Sequence, residues 1–462
     1  MAMTENLPAR LRDILPADRV LEALEERITY ARDGTQRAES VPDVVVRAAS
    51  ADEVEAIVAL AHEHQVPITP RGAGTSTTGG AIPVKKGIVL DLTAMNRIKE
   101  IDTDNLVAVV EPGVVTGQFH TAVEKLGLFY PPDPASRAVC TLGGNAAMCA
   151  GGPRGVKYGV TKDYIIGLEA VTPAFGRIRT GVRTMKGVVG YDLTKLLVGS
   201  EGTLGVITEM TLRLIPKPEA TGTMMAAFPD PVAASETVSR IIASRIIPSM
   251  LEFLDQQCIR AAENQLHAGL PVDSRALLLI QVDGPRDSIS PQLDRIRDIC
   301  REKGADPIRI AENDEEAATL MAVRTSLANA ILQIEPTKIN EDITVPRSRI
   351  PEMMRKLQEI GERRGHLIVT FGHAGDGNLH VNVMTDERDP ARMASALEAV
   401  RDIFVATIEM NGTLSGEHGI GITKSEFLPL EQSPEIIELQ KQIKAVFDPR
   451  NVMNPGKIFW PV

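Results

Sequence analysis

The segment Gly372-His373-Ala374-Gly375-Asp376-Gly377-Asn378-Leu379-His380 places two imidazoles on either side of an Asp-Gly pair. Asp-Gly favours the centre of a two-residue type I′ hairpin, so the spacing predicts that His373 faces His380 across two strands, with Asn382 on the same face. Directly opposed residues have Cβ atoms about 4.5–5.5 Å apart, from which two ring nitrogens can reach one divalent ion. Two ordinary surface histidines beside a turn would show the same spacing. A third donor stands in Ser415-Gly416-Glu417-His418-Gly419-Ile420-Gly421, where glycines let the backbone approach a ligand closely. His373, His380 and Glu417 would make an open site for one divalent metal, zinc, manganese or iron by donor type, leaving His418 as a base.

These residues need a large scaffold, and 462 residues with 43% hydrophobic side chains supply one of two or three domains. With 50 basic against 61 acidic residues the net charge is −11, which argues against nucleic acid and anionic lipid as partners. Cys140, Cys149, Cys258 and Cys300 form no Cys-x-x-Cys pair, so neither an iron–sulfur cluster nor a thioredoxin-like centre is encoded; they read as buried thiols in a reducing compartment. Met1 to Asp13 lacks an apolar core of signal length, and no run approaches the roughly 18 apolar residues of a transmembrane segment. A cytoplasmic protein is expected.

Along the chain, residues up to about 40 carry helical patterning, as in Val20 to Ile28, before a strand at Pro42 to Arg47, a helix at Ala51 to His64 and a strand at Val66 to Thr69. Arg71-Gly72-Ala73-Gly74-Thr75-Ser76 follows. A Rossmann turn would open a helix here, but Thr77, Thr78, Gly79, Gly80 and Pro83 come next, so the segment reads as a phosphate-binding loop instead. Two more glycine-dense segments, Leu142 to Gly155 and Val198 to Thr208, read as loops. Three such segments imply a flat or phosphorylated cofactor lying against them. After Pro216-Lys217-Pro218 two β-α-β-α rounds suggest a sheet with helices on one side. The expected domains are 1–218, 219–430 with the metal site, and a segment 431–462 that packs back on the first.

Seven motifs then carry a resemblance over most of the chain: Pro70 to Thr75, Pro131 to Ser136, Gly143-Gly144-Asn145, Gly199 to Gly205, Gly372 to His380, Gly416 to Gly419, and Asn454-Pro455-Gly456-Lys457. Together they resemble the FAD-dependent D-2-hydroxy acid dehydrogenases of the vanillyl-alcohol-oxidase fold. That group includes D-lactate dehydrogenases, D-2-hydroxyglutarate dehydrogenases and glycolate oxidase catalytic subunits. The resemblance implies an α+β fold, with a bipartite FAD-binding domain and an α+β cap built on an antiparallel sheet. It implies that Arg71, Gly72, Ala73, Gly74, Thr75 and Ser76 hold the FAD pyrophosphate. Pro132, Asp133, Ser136, Gly143, Gly144, Asn145 and Gly152 would line the ribityl chain and ring, Glu201 and Ile207 the adenosine half, and Asn454 the flavin. No histidine lies in the first loop, so FAD should be non-covalent.

The resemblance also makes His373, His380 and Glu417 metal ligands, His418 the catalytic base and Arg324 a carboxylate clamp, with Asn382 and Lys338 near the substrate. Asn340 stands where some relatives carry a substrate-binding lysine. That favours a small 2-hydroxy acid, D-lactate before 2-hydroxyglutarate, with glycolate as the alternative. Electrons would pass to an electron-transfer flavoprotein, a quinone or a cytochrome, and a homodimer is compatible with the sequence. Outside this class stand a flavin electron-relay subunit and a His/His/Glu metal hydrolase.

Overall fold

The computed structural model describes residues 7–35 and 38–459. The chain divides into two units, one of residues 1–150, 160–217 and 417–462, the other of 151–159 and 218–416. The return to the first unit therefore falls at Glu417 rather than at 431, and the nine residues 151–159, which overlap the end of the Leu142 to Gly155 segment, belong to the second unit.

In the first unit a four-stranded sheet runs in the order Val20–Leu21, Val44–Arg47, Ile88–Asp91, Ile68–Arg71, parallel except at its first pair. The helix Ala51–His64 packs on it because Val54, Ile57, Val58 and Ala61 recur at helical spacing and are all buried. Ser50 caps that helix by accepting from the Glu53 N–H. A five-stranded antiparallel sheet follows, ordered Ile98–Asp102, Val107–Val110, Val206–Arg213, Ile165–Thr172, Gly176–Gly181. The patterning near residues 20–28 resolves into a two-residue strand and the single-turn helix Leu24–Arg27. Leu142–Met148 is a helix, not a loop, because Thr141 Oγ1 caps it by accepting from Gly144 N–H at 3.3 Å.

The second unit is a seven-stranded antiparallel sheet, ordered Ile308–Ile310, Ala220–Phe228, Ala276–Gly284, Met250–Asp255, Ile368–Gly372, Asn378–Thr385, Thr337–Thr344. Helices cover both faces rather than the one expected. Met225, Leu254, Leu279 and Phe371 pack against Gln256–Leu266 and Asp314–Ala330. Gly222, of opposite parity to Met225, lies against Ile289 and Leu293 of the helix Arg286–Glu302 on the other face. A sheet rich in Val, Leu and Met on both faces has to be covered twice.

Candidate active site

The two strands that carry the histidines pair Phe371 with His380 and Ile368 with Val383, so His380 faces Phe371 and not His373. The connection is longer than a two-residue hairpin: the His373 carbonyl accepts from the N–H groups of Asp376, Gly377 and Asn378 at 3.1–3.2 Å. Gly377 sits at φ 92° with its missing Cβ 2.1 Å from the Val345 carbonyl, a position closed to any side chain. The register slips by two residues, and because side chains alternate with period two, His373 and His380 still share a face. Their Nε2 atoms lie 3.4 Å apart and both residues are buried.

Around this pair the same face carries a polar row across four strands. Glu252, on the strand Met250–Asp255, accepts from His373 Nδ1 at 2.7 Å and from Arg324 Nε of the covering helix. It is fully buried, and burial alone would raise its pKa; His373 and Arg324 outweigh that and hold the carboxyl down at about 2. Arg324 is bound through Nε alone, with its guanidinium 5.0 Å above the Phe371 ring, and its two terminal nitrogens meet no protein acceptor among the described residues. Asp342 is paired with His380 in the sheet and accepts from Asn378 Nδ2 at 2.5 Å, Ser415 Oγ at 2.9 Å and the Gly416 N–H at 3.0 Å.

Asn382 is fully buried and spends its amide on protein: Asn340 donates to its Oδ1 at 2.8 Å, and its Nδ2 donates to the carbonyls of Val369 and His380. Lys338 donates to the Ala328 carbonyl, and burial lowers its pKa. Glu252 and Asp342 were missed by the sequence reading. The available signal for Glu252 was one acidic residue inside Met250-Leu251-Glu252-Phe253-Leu254, an apolar strand where a charge must find a partner.

The first unit holds the other half of the expected residues. None of the backbone N–H groups from Gly72 to Thr77 donates to a protein acceptor among the described residues, and no helix follows them. That run of unsatisfied amides is a nest for an anion and fits a pyrophosphate. Arg71 shapes the nest with its guanidinium, which donates to the carbonyls of Arg32 at 2.8 Å and Ala81 at 3.3 Å. Ser76 Oγ accepts from the N–H groups of Thr78 and Gly80.

Asn454 donates to the carbonyls of Gly80 and Glu201 at 2.9 and 2.7 Å, while its own Oδ1 is buried without a partner, as a cofactor N–H would require. The Glu201 carboxylate is taken by the N–H groups of Ile420 and Gly421 at 2.7 and 2.8 Å, so it organises the segment after His418. Thr78 completes that clamp by donating to the His418 carbonyl at 3.1 Å and accepting from the Ile422 N–H at 2.8 Å.

Asn145 donates to Thr116 Oγ1 at 2.8 Å. Gly143 lies with its missing Cβ against Pro112, and the Pro132 carbonyl bonds His120 at 2.9 Å. Asp133 and Ile207 are buried in this unit, whereas Gly152, at φ 136°, belongs to the other.

Two family models cover the chain: the FAD binding domain matches residues 42–181, and the C-terminal domain of FAD-linked oxidases matches residues 217–458. Glycolate oxidase subunit GlcD of Bacillus subtilis (strain 168) is 46% identical over 94% of this chain and 92% of its own length. D-lactate dehydrogenase of Anaerostipes hadrus is 33% identical over 90% of this chain and 89% of its own. A crystal structure of p-cresol methylhydroxylase with substrate bound superposes with a TM-score of 0.83 at 18% identity, covering 98% of this chain and 96% of that one; at such identity the likeness is one of fold. Among the described residues no helix is long and apolar enough to cross a membrane. An FAD-binding fold with an amide nest, joined in sequence to the matching oxidase domain, makes this chain a member of the FAD-linked oxidases, an FAD-linked oxidoreductase of the vanillyl-alcohol-oxidase fold.

Proposed function

We propose that the chain oxidises a short 2-hydroxy monocarboxylate to the 2-oxo acid, with glycolate the first substrate to test and D-lactate the second. The observation that carries this reading is Arg324, fixed through Nε on the two-imidazole face with both terminal nitrogens open, a fork suited to one carboxylate. A second carboxylate would want a second cation, but Lys338 is tied to Ala328 and Asn340 to Asn382. The 46% identity to a glycolate oxidase subunit moves glycolate ahead of the D-lactate expected from sequence.

FAD would be held non-covalently by the Gly72 to Thr77 amides, with Asn454 at the flavin, and supplies a hydride acceptor when bound. One divalent metal would be held by His373, His380 and Glu417, and would lower the proton affinity of the substrate hydroxyl. His373 and His380 supply two adjacent ring nitrogens, and Glu417 directly follows Gly416, which is anchored on Asp342. His418 would take the hydroxyl proton onto its imidazole as the Cα hydride leaves, and bound FAD would supply the acceptor for that hydride, so one proton stays on the base and the two electrons leave with the hydride. The electrons pass on to an electron-transfer flavoprotein, a quinone or a cytochrome. Four free cysteines suit a reducing compartment, the cytoplasm.

The test is the visible spectrum of the anaerobic protein with glycolate, D-lactate, L-lactate and D-2-hydroxyglutarate added separately, with and without chelator. Bleaching of the flavin by glycolate or D-lactate, abolished by chelator, is expected. Bleaching only by 2-hydroxyglutarate would overturn the monocarboxylate reading, and chelator-insensitive bleaching would remove the metal.

A further inference from the structure

We propose that Glu252 is the positioning residue of this site: one buried carboxylate sets both the ring tautomer of His373 and the direction of the Arg324 guanidinium, coupling ion binding to recognition of the substrate carboxylate. The proposal rests on the roles given to His373 and Arg324 above.

Glu252 is 0% exposed and takes one donor on each oxygen, His373 Nδ1 on Oε1 and Arg324 Nε on Oε2. A carboxylate only accepts, so Nδ1 of His373 carries the hydrogen, and in the neutral ring Nε2 keeps its lone pair. That lone pair lies on the side of His380, 3.4 Å from its Nε2. A ligating histidine is commonly fixed in this way by an acceptor on its other nitrogen. At the second oxygen, engaging the Nε edge of Arg324 stops the guanidinium from turning and leaves its terminal pair of nitrogens for a carboxylate.

Stability alone is a poor reason for this charge, because a buried ion pair often contributes no more than apolar residues of the same volume. Its neighbours Met250, Leu251, Phe253 and Leu254 are apolar and buried, so nothing local asks for a carboxylate.

Glu252→Gln separates the two demands. Glutamine keeps one accepting oxygen and presents an NH₂ in place of the other, so it cannot satisfy both donors. Either Arg324 swings away, or His373 moves its hydrogen to Nε2 and can no longer ligate through that atom.

The experiment uses the full-length FAD-loaded protein, wild type, Glu252→Gln and Glu252→Asp. Nitrogen-15 spectra of histidine-labelled, metal-free protein report the His373 tautomer. Titration with Zn²⁺ and Mn²⁺ reports ion affinity, and flavin reduction by glycolate reports KM and kcat.

The expected result for Glu252→Gln is gain of the Nε2–H tautomer, ion affinity about 10–100-fold weaker and a raised KM, with FAD content unchanged. Glu252→Asp keeps charge and both acceptors on a shorter arm, so it should keep the Nδ1–H tautomer and bind the ion several-fold more weakly than wild type. Unchanged tautomer, ion affinity and KM in Glu252→Gln would overturn the proposal. If that variant does not fold, wild-type ion affinity and KM in Glu252→Asp would do so. A wild-type protein that binds neither ion would sink the metal reading, while the tautomer and KM would still decide Glu252.

Discussion

Arg324 and Glu252 are both buried, with side chains 7% and 0% exposed, and each neutralises the other. Removing one leaves an uncompensated interior charge. Arg324→Ala should therefore lower the unfolding free energy by about 3 kcal/mol or more, measured by denaturant titration, besides raising the substrate concentration needed for half-maximal flavin reduction. An unchanged midpoint would mean that the pair does not bear on stability. His418→Asn makes a different case, since that side chain is half-buried and its proposed work is proton transfer. Flavin reduction should slow by about 10²-fold or more with FAD retained, followed by stopped-flow absorbance. At this scale the histidine spacing was legible because any register that keeps parity leaves both rings on one face. Glu252 and Asp342 were not, because their roles depend on strands more than a hundred and about forty residues away from their partners' own turn.

Elements come next, and here the joints carry the risk. Asn454, from the last turn-rich segment, ties the carbonyl of Gly80 to that of Glu201. Asn454→Ala strands two buried carbonyls at a cost of about 1–3 kcal/mol each, and should lower FAD content at equal protein concentration, read from the ratio of flavin to protein absorbance. Undiminished FAD would place Asn454 outside the cofactor site. Ala51–His64 was legible to the residue, because an apolar stripe at helical spacing follows directly on a capping Ser50. Leu142–Met148 was not, since two glycines in its first turn read as a loop and the capping Thr141 was overlooked.

For the whole molecule, pH offers a test of how the second unit is held. Asp255 is buried where it caps Gln256–Leu266 and also accepts from the Thr370 N–H at 2.6 Å; burial raises its pKa from 3.8 to about 6, against the pull of those N–H groups. A carboxyl raised in the folded state favours folding most below its unfolded value and loses that contribution as pH rises through about 6. Thermal midpoints should therefore decline from pH 4 towards pH 7 through this group, and Asp255→Asn should flatten that limb. An identical slope in the variant would assign it elsewhere. The break after Lys217 is visible in the sequence as Pro216-Lys217-Pro218, but the return at Glu417 has no proline or composition shift to mark it.

That return makes the order of synthesis matter. The strand Ile68–Arg71 leads into the amide nest, yet its neighbours Val452, Met453 and Asn454 are made almost four hundred residues later: Ile68 bonds the Val452 carbonyl at 2.8 Å, and Asn454 bonds Ile68 at 2.7 Å. A nascent chain carrying every glycine of the nest still lacks these clasps while the second unit is being translated. The strand that leads into the nest is therefore clasped only after residues 451–454 have been made, and that segment acts as the latch of its domain.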